Sequence, residues 1–387
     1  MLPFDTTQFV RLPGENDFNY LCRYISNKPP EVLLPGEDFW RDHQPWLAKH
    51  GYQLRPRYHP NWVPSWTVKS EDDRDPDDRE DGIAFETPDV LDATRMDDGE
   101  IVMLKRLSKK FHPHEVAIGK FFSTVPIASN PRNHCVPILD VLQVPDDDDV
   151  TIIVMPLLRE FDSPKFETVG EAVAFFIQVF EGLQFMHEHN VAHRDCMNFN
   201  IMMDPKPIFP NGFHPRHINQ NYEVTGKAKY YSRTERPPKY YLIDFGLSRQ
   251  YPPGVKHPLE PIIFGGDKSV PEFVEPWNPC DPFPTDIYYI GNMIQYEFLQ
   301  KIANLEFMRP LVADMVHTDP KKRPDIHEVV KRFEQTHQLL PWWTLRSRLQ
   351  RRRQPRYGLL TRVKRTIRHL LKTMVHILLF RPAIPLP

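Results

Sequence analysis

Two stretches decide the reading of this chain: Val191-Ala192-His193-Arg194-Asp195-Cys196-Met197-Asn198-Phe199-Asn200, and Tyr241-Leu242-Ile243-Asp244-Phe245-Gly246. Each begins with a short apolar run and ends in side chains that carry oxygen ligands, Asp195 and Asn200 in one, Asp244 in the other. A short apolar run bounded by polar residues reads as a buried strand, so both deliver acid or amide groups at the end of an element. Immediately before the first, Thr168 to Asn190 repeats apolar residues at helical spacing (Val169, Val173, Phe176, Val179, Phe180, Leu183, Met186), with Thr168 as an N-cap. That helix packs one face into a core.

Working outward, the N-terminal side is strand-like and the C-terminal side helical. Asp89 to Arg95, the turn Asp97-Asp98-Gly99 and Ile101 to Lys105 form a predicted hairpin. His114 to Ser123 reads as a short helix, and Val136 to Val144 and Val150 to Met155 as two strands joined by an acidic loop. Helices are expected over 285–299, 311–317 and 324–337. Strands first and helices after is an α+β order. Residues 1–66 are rich in Pro and aromatics around a short helix near 38–50, and Glu71 to Asp81, with eight acids and two arginines, reads as an exposed linker.

The chain has 387 residues, 40% of them apolar, enough for one large two-part domain or two ordinary ones. Its 41 prolines imply many rigid connections. Four cysteines without metal-like spacing read as reduced thiols. The first residues have no leader pattern, and no stretch approaches the uninterrupted apolar length of a membrane span, so an intracellular location, cytoplasmic or nuclear, is expected. The net charge of −2 conceals a split: residues 341–387 carry 12 Lys and Arg with no acid, which leaves −14 on residues 1–340. Within that tail Leu359, Leu360, Val363, Ile367, Leu370, Leu371, Met374 and Leu378 share one helical face, with Arg362, Lys364, Arg365, Arg368 and Lys372 largely off it. Such a basic amphipathic helix suits an anionic membrane surface, an acidic partner or the protein's own acidic face. No specific nucleic acid is indicated.

His193 to Asn200 fits the pattern HRDxxxxN and Asp244 to Gly246 the pattern DFG, and here the chain resembles the protein kinases. Further matches extend over 83–337, about two-thirds of the chain. Val102 to Lys105 stands in the VAIK place, Glu115 resembles the glutamate that pairs with its lysine, and Val270-Pro271-Glu272 stands for APE. Asp286 resembles the buried helix aspartate, and Arg323 the partner of the APE glutamate. The resemblance is greatest to the kinase-like families of mushroom-forming fungi. It implies a bilobal fold: a small antiparallel-sheet lobe over 82–159, a larger helical lobe over 160–338 with a basic insertion at 205–240, and extensions at 1–81 and 339–387. It also implies transfer of the ATP γ-phosphate to a protein hydroxyl, of Ser/Thr type, with ATP and Mg²⁺ as cofactors. Asp195 would take the substrate proton, Asn200 and Asp244 hold Mg²⁺, and Lys105 meet the phosphates, held by Glu115. Val90, Met103, Lys105, Met155, Leu157 and Asp244 would surround the nucleotide.

The chain departs from the family in four places. Residues 82–89 read GIAFETPD where a glycine-rich loop is expected, and glycines there let backbone N–H groups approach phosphates. Weaker nucleotide affinity follows. Met103 replaces the small residue over the adenine, Met197 the lysine of the catalytic loop, and Gly265 the threonine that bonds that lysine. A basic insertion holding Lys227, Lys229 and Arg233 could fold over the catalytic loop and restore a cation; a plain surface loop is the alternative. The activation segment, 244–272, holds Ser248, Tyr251 and Ser269 as its hydroxyls, which gives no clear phosphorylation switch. Three functions therefore stand open: an active protein kinase, a pseudokinase scaffold, and a small-molecule phosphotransferase of the same fold.

Overall fold

The Asp97-Asp98-Gly99 turn closes as the sequence expects. Gly99 takes φ +74°, the left-handed region that glycine enters without a side-chain clash, and Asp98 receives both the Glu100 amide at 3.1 Å and the Arg95 guanidinium at 3.0 Å. The computed structural model describes residues 31–67, 74–84, 87–263, 266–274, 278–353 and 359–387. Cys22, Phe85, Glu86 and Gly265 lie outside them. The chain is a mixture of α-helices and antiparallel strands, divided into two units: 1–105 with 213–227, and 106–212 with 228–387.

In the first unit, helix α1 (Glu37–Lys49) precedes an antiparallel ribbon of β1 (Tyr52–Gln53), β2 (Val90–Arg95) and β3 (Ile101–Ser108), whose last three residues pass into the second unit. Lys105 lies opposite Val90 and Met103 opposite Asp92. Buried charges hold this unit. Glu37 accepts from Arg57 at 2.9 Å and Tyr58 at 2.8 Å, and Arg55 meets Asp92 at 2.6 Å. At the end of the acidic run, whose residues 71–73 lie outside the described ones, Asp81 is buried and accepts from Trp62 Nε1 and from the amide and hydroxyl of Ser65, while Asp75 and Asp78 are exposed. Three donors at 2.8–3.0 Å offset the desolvation of this one carboxylate. Residues 213–227, the middle of the insertion, belong to this unit; Tyr222 bonds Thr94 on β2, and His214 is buried near Arg55.

The second unit opens with α2 (Glu115–Ser123) and the antiparallel pair β4 (Asp140–Gln143) and β5 (Val150–Pro156). β6 (Arg159–Glu160) precedes α3 (Val169–Glu188) and β7 (Val191–Ala192), and then come β8 (Ile201–Met203), β9 (Tyr240–Leu242) and β10 (Arg249–Gln250). β8 lies between β6 and β9, and β7 pairs with β10. α3 is the core. Thr168 caps it through the Glu171 amide at 3.2 Å. By length and composition it could cross a membrane, yet 83% of its apolar window is buried inside the protein. Its phenylalanines 175, 176 and 180 interlock with Phe298 and Phe333. Each such ring stabilises by roughly 1.5–3 kcal/mol on burial. α4 (Pro282–Ile294), α5 (Arg309–Met315), α6 (Ile326–Gln338), α7 (Trp342–Arg346) and α8 (Leu359–Leu378) complete it.

Candidate functional site

The segment after β7 would be a loose loop without one side chain from α4. Asp286 is fully buried and accepts the backbone amides of His193 at 2.8 Å and Arg194 at 2.7 Å. It also meets His187 Nε2 at 3.0 Å. These bonds hold Arg194 in a left-handed conformation, φ +69°, which costs strain for a residue with a Cβ. The turn places Asp195, half-buried, beside Asn200. His193 bonds the Ile243 carbonyl at 3.0 Å, and its carbonyl accepts from Ser248 at 2.9 Å, which ties the two decisive stretches together. Burial lowers the His193 pKa, so the ring is neutral.

Asp195 and Asn200 form the first half of the site. Asn200 donates from Nδ2 to the Asp195 carbonyl at 2.8 Å and to its Oδ2 at 2.9 Å, leaving the amide oxygen to face elsewhere. The other carboxylate oxygen, Asp195 Oδ1, is buried and has no hydrogen-bond partner. Burial, followed by the negative charge of Asp244, pushes the Asp195 carboxyl up to about 6. Asp244 forms the second half, at φ +63°, accepting from the Gly246 amide at 3.2 Å. Phe245 is buried against His193 at 5.8 Å and Phe122 of α2 at 6.2 Å between ring centroids. A Cβ on Gly246 would stand 3.1 Å from both Asp244 Oδ1 and Glu115 Oε2, so these two carboxylates converge over that residue. Glu115, Asp195, Asn200 and Asp244 are thus assembled within one unit. Met155 and Leu157 lie on and just after β5, half-buried. Val90, Met103 and Lys105 lie on the β2–β3 ribbon of the other.

The donor set suits Mg²⁺. That ion keeps most of its waters and takes one or two carboxylates plus substrate phosphates, not a closed protein cage. Among the described residues no cluster of three His, Cys, Asp or Glu side chains is preassembled; Asn200 could offer its amide oxygen and Asp244 its carboxylate to such an ion.

Beneath the site, Glu272 and Arg323 form a two-toothed pair, with NH1 to Oε1 at 2.7 Å and NH2 to Oε2 at 2.6 Å. Arg323 also donates to the carbonyls of Pro284 and His317 and covers the Tyr288 ring. Two features were not legible from spacing. Gly266, φ +70°, brings its Cα against Asp195, where a Cβ would stand 2.4 Å from Oδ1; the only sequence signal is the Gly265-Gly266 pair. Glu260 stands 3.6 Å from Arg194 and 3.9 Å from Arg249, and accepts from the Tyr251 hydroxyl at 3.1 Å. Arg233, expected to reach substrate, is instead buried, donating to Tyr240 Oη, the Phe161 carbonyl and the Pro164 carbonyl over the Phe166 ring. Its planar fork satisfies three acceptors in the interior, which removes it from the site. Lys227 and Lys229 are exposed.

No family model matches the chain. Over 216 residues, 48% of its length, it is 22% identical to a protein of Acanthamoeba polyphaga mimivirus named "Putative serine/threonine-protein kinase R436". The match spans 64% of that relative. It supports a kinase-like character, and thereby a transferase, at the level of a distant relative.

Proposed function

We propose that this chain is a protein kinase of bilobal fold that transfers the γ-phosphate of ATP to a Ser or Thr hydroxyl of a protein. The observation that carries the reading is the pair Asp195–Asn200 beside Asp244, held by Asp286. Phosphoryl transfer asks for positioning and neutralised charge more than for covalent help. Asn200 and Asp244 would hold Mg²⁺, which when bound supplies neutralisation of the phosphate oxygens. Asp195 would accept the substrate hydroxyl proton on a carboxylate that Asn200 and the Asp195 backbone hold in place. A carboxyl raised to about 6 is ionised at neutral pH yet basic enough to share a proton. Glu260 offers Arg194 an anionic partner without a modification, which fits a segment with few hydroxyls.

Met197 and the absence of glycines in 82–89 favour a second reading, a pseudokinase scaffold. The Glu272–Arg323 pair speaks for a protein substrate over a small molecule, because in the kinases this chain resembles that pair lies under the platform on which the peptide rests. Incubation with γ-labelled ATP, Mg²⁺ and generic acceptor proteins separates the two. Transfer that disappears in Asp195→Asn is expected; label incorporation equal in both proteins, or none from a protein that still binds ATP, sinks the kinase reading. The pH profile gives a second test, with kcat/KM falling about tenfold per unit below about pH 6 as Asp195 protonates.

A further inference from the structure

Helix α8 is docked by the wrong face for a protein that ends its contacts with itself. His369 Nε2 meets the Arg346 carbonyl at 3.1 Å, Lys372 donates to Glu167 at 2.6 Å, and His376 is buried. Residues 369, 372 and 376 are spaced three and four apart, one stripe of the helix. Beyond the helix end, the Arg381 carbonyl accepts from the Arg346 guanidinium at 2.6 Å, the Arg381 guanidinium lies 3.6 Å from Glu235, and the Ala383 carbonyl presses on the Cα of Gly170 at the start of α3. The anchoring is polar and it is made at one edge.

The opposite stripe is apolar and uncovered. Leu360, Val363, Ile367, Leu370, Leu371 and Met374 are between 46% and 78% exposed, and Phe380, just past the helix, is 94% exposed. An amphipathic helix that merely packed on its own protein would turn this stripe inward, since apolar burial is the main gain available to it. Here the histidine and lysine stripe faces the body instead. Lys364 and Arg368 lie beside the apolar stripe, and both are exposed. The 341–387 segment has no acidic residue to neutralise them. Trp342 and Trp343, exposed at the start of α7, stand one turn from Arg346, which holds the helix.

We propose that α8 is an interfacial anchor that lays its apolar stripe into the headgroup region of an anionic lipid bilayer, with Lys364 and Arg368 on the acidic headgroups. Leucine and methionine on one side, uncompensated cations beside them and tryptophans nearby are the composition of a helix that lies in a membrane surface. Charge complementarity selects lipid over a second copy: two such helices face to face would bring like charges together with no carboxylate between them. Each cation near an anionic surface strengthens partitioning roughly fivefold. The docked body holds the helix in place, so little ordering cost remains on binding.

The test uses the full chain with vesicles of equal parts phosphatidylserine and phosphatidylcholine, against vesicles of phosphatidylcholine alone, read by co-sedimentation. Binding to the first set, weakening steeply with added salt, is expected. Leu370→Glu with Leu371→Glu should reduce it more than about tenfold while leaving thermal unfolding unchanged, because both side chains already face solvent. Lys364→Glu and Arg368→Glu together should remove the preference for phosphatidylserine, roughly twenty-fivefold. Binding of the leucine pair at wild-type strength overturns the proposal. So does a dimer in sedimentation velocity that the leucine pair splits while vesicles stay bare, which would assign the stripe to a second copy.

Discussion

Asp286 on α4 and Asp195 in the loop it supports are both acids close to one turn of chain, and the protein treats them oppositely. Around Asp286 every donor is in place: two backbone amides and a histidine close on its carboxylate. The Glu272–Arg323 pair nearby is equally complete. Around Asp195 one oxygen is satisfied and one is orphaned, a left-handed glycine crowds it, and its charge is disfavoured. A supporting region is built to be finished within the chain. On the proposed function, the Asp195 region is the chemical one and keeps unmet capacity for substrate and cation, so damage to the first should read out as stability and damage to the second as rate.

The largest effect expected is on rate. Asp195→Asn keeps the acceptor for Asn200 and removes the proton acceptor, so transfer should fall on the order of 10²–10⁴-fold. Stability should hold or rise at pH 7, because the carboxyl goes from an ordinary 3.8 to about 6 on folding: the native state favours the proton, and stability is lost as pH climbs between those values. A large loss of unfolding free energy in that variant would break the contrast. Next, Arg323→Ala leaves the half-buried Glu272 with the Thr285 hydroxyl at 3.1 Å in place of its two-toothed partner and should cost about 1.5–3 kcal/mol of stability, measured by urea unfolding; a stable variant that is merely slow would place Arg323 with the chemistry instead. Gly266→Ala lies between the two regions. Its Cβ meets Asp195 Oδ1 and its φ is +70°, so roughly 1–3 kcal/mol of stability and a displaced Asp195 are expected together.

The smallest effect belongs to the first unit and sharpens the same distinction. Burial pushes Glu80 up to about 7 from an ordinary 4.5, although Arg55 stands 3.7 Å away. The folded state therefore binds that proton more tightly than the unfolded chain, and stability should decline as pH rises from about 4.5 to about 7. Glu80→Gln should flatten this part of the profile and stabilise the protein by about 1 kcal/mol at pH 8, read from melting temperature against pH. An unchanged profile would mean that Arg55 fully compensates the charge.

Much of the local structure was legible because it is written locally. The Thr168 cap, the alternating periods of α3 and the ribbon, and the turn at Gly99 follow from residues a few positions apart, and the elements fall within a few residues of expectation. Val136 to Val144 is the exception: pairing with β5 begins only at Asp140, after Val136 has instead bonded the Leu242 carbonyl. The apolar run expected as one helix over 285–299 ends its α geometry at Ile294 and finishes as a wider π turn. The site was legible in part, because His193 to Asn200 and Asp244 to Gly246 are contiguous. Gly266, Glu260 and the buried post of Arg233 were not, since each is defined by partners far along the chain.

Composition and spacing determined which groups this protein has for chemistry, and that its tail is a basic helix with an apolar stripe. Both follow from nearest neighbours and helical period. Only the tertiary structure decided that Asp195 keeps an unpaired oxygen, that Asp81 is held and not free, that the insertion is shared between two units, and that the tail docks by its histidine stripe with its apolar face outward. Those outcomes depend on which distant donors, acceptors and surfaces reach a given side chain, and burial strengthens such contacts or makes their absence costly.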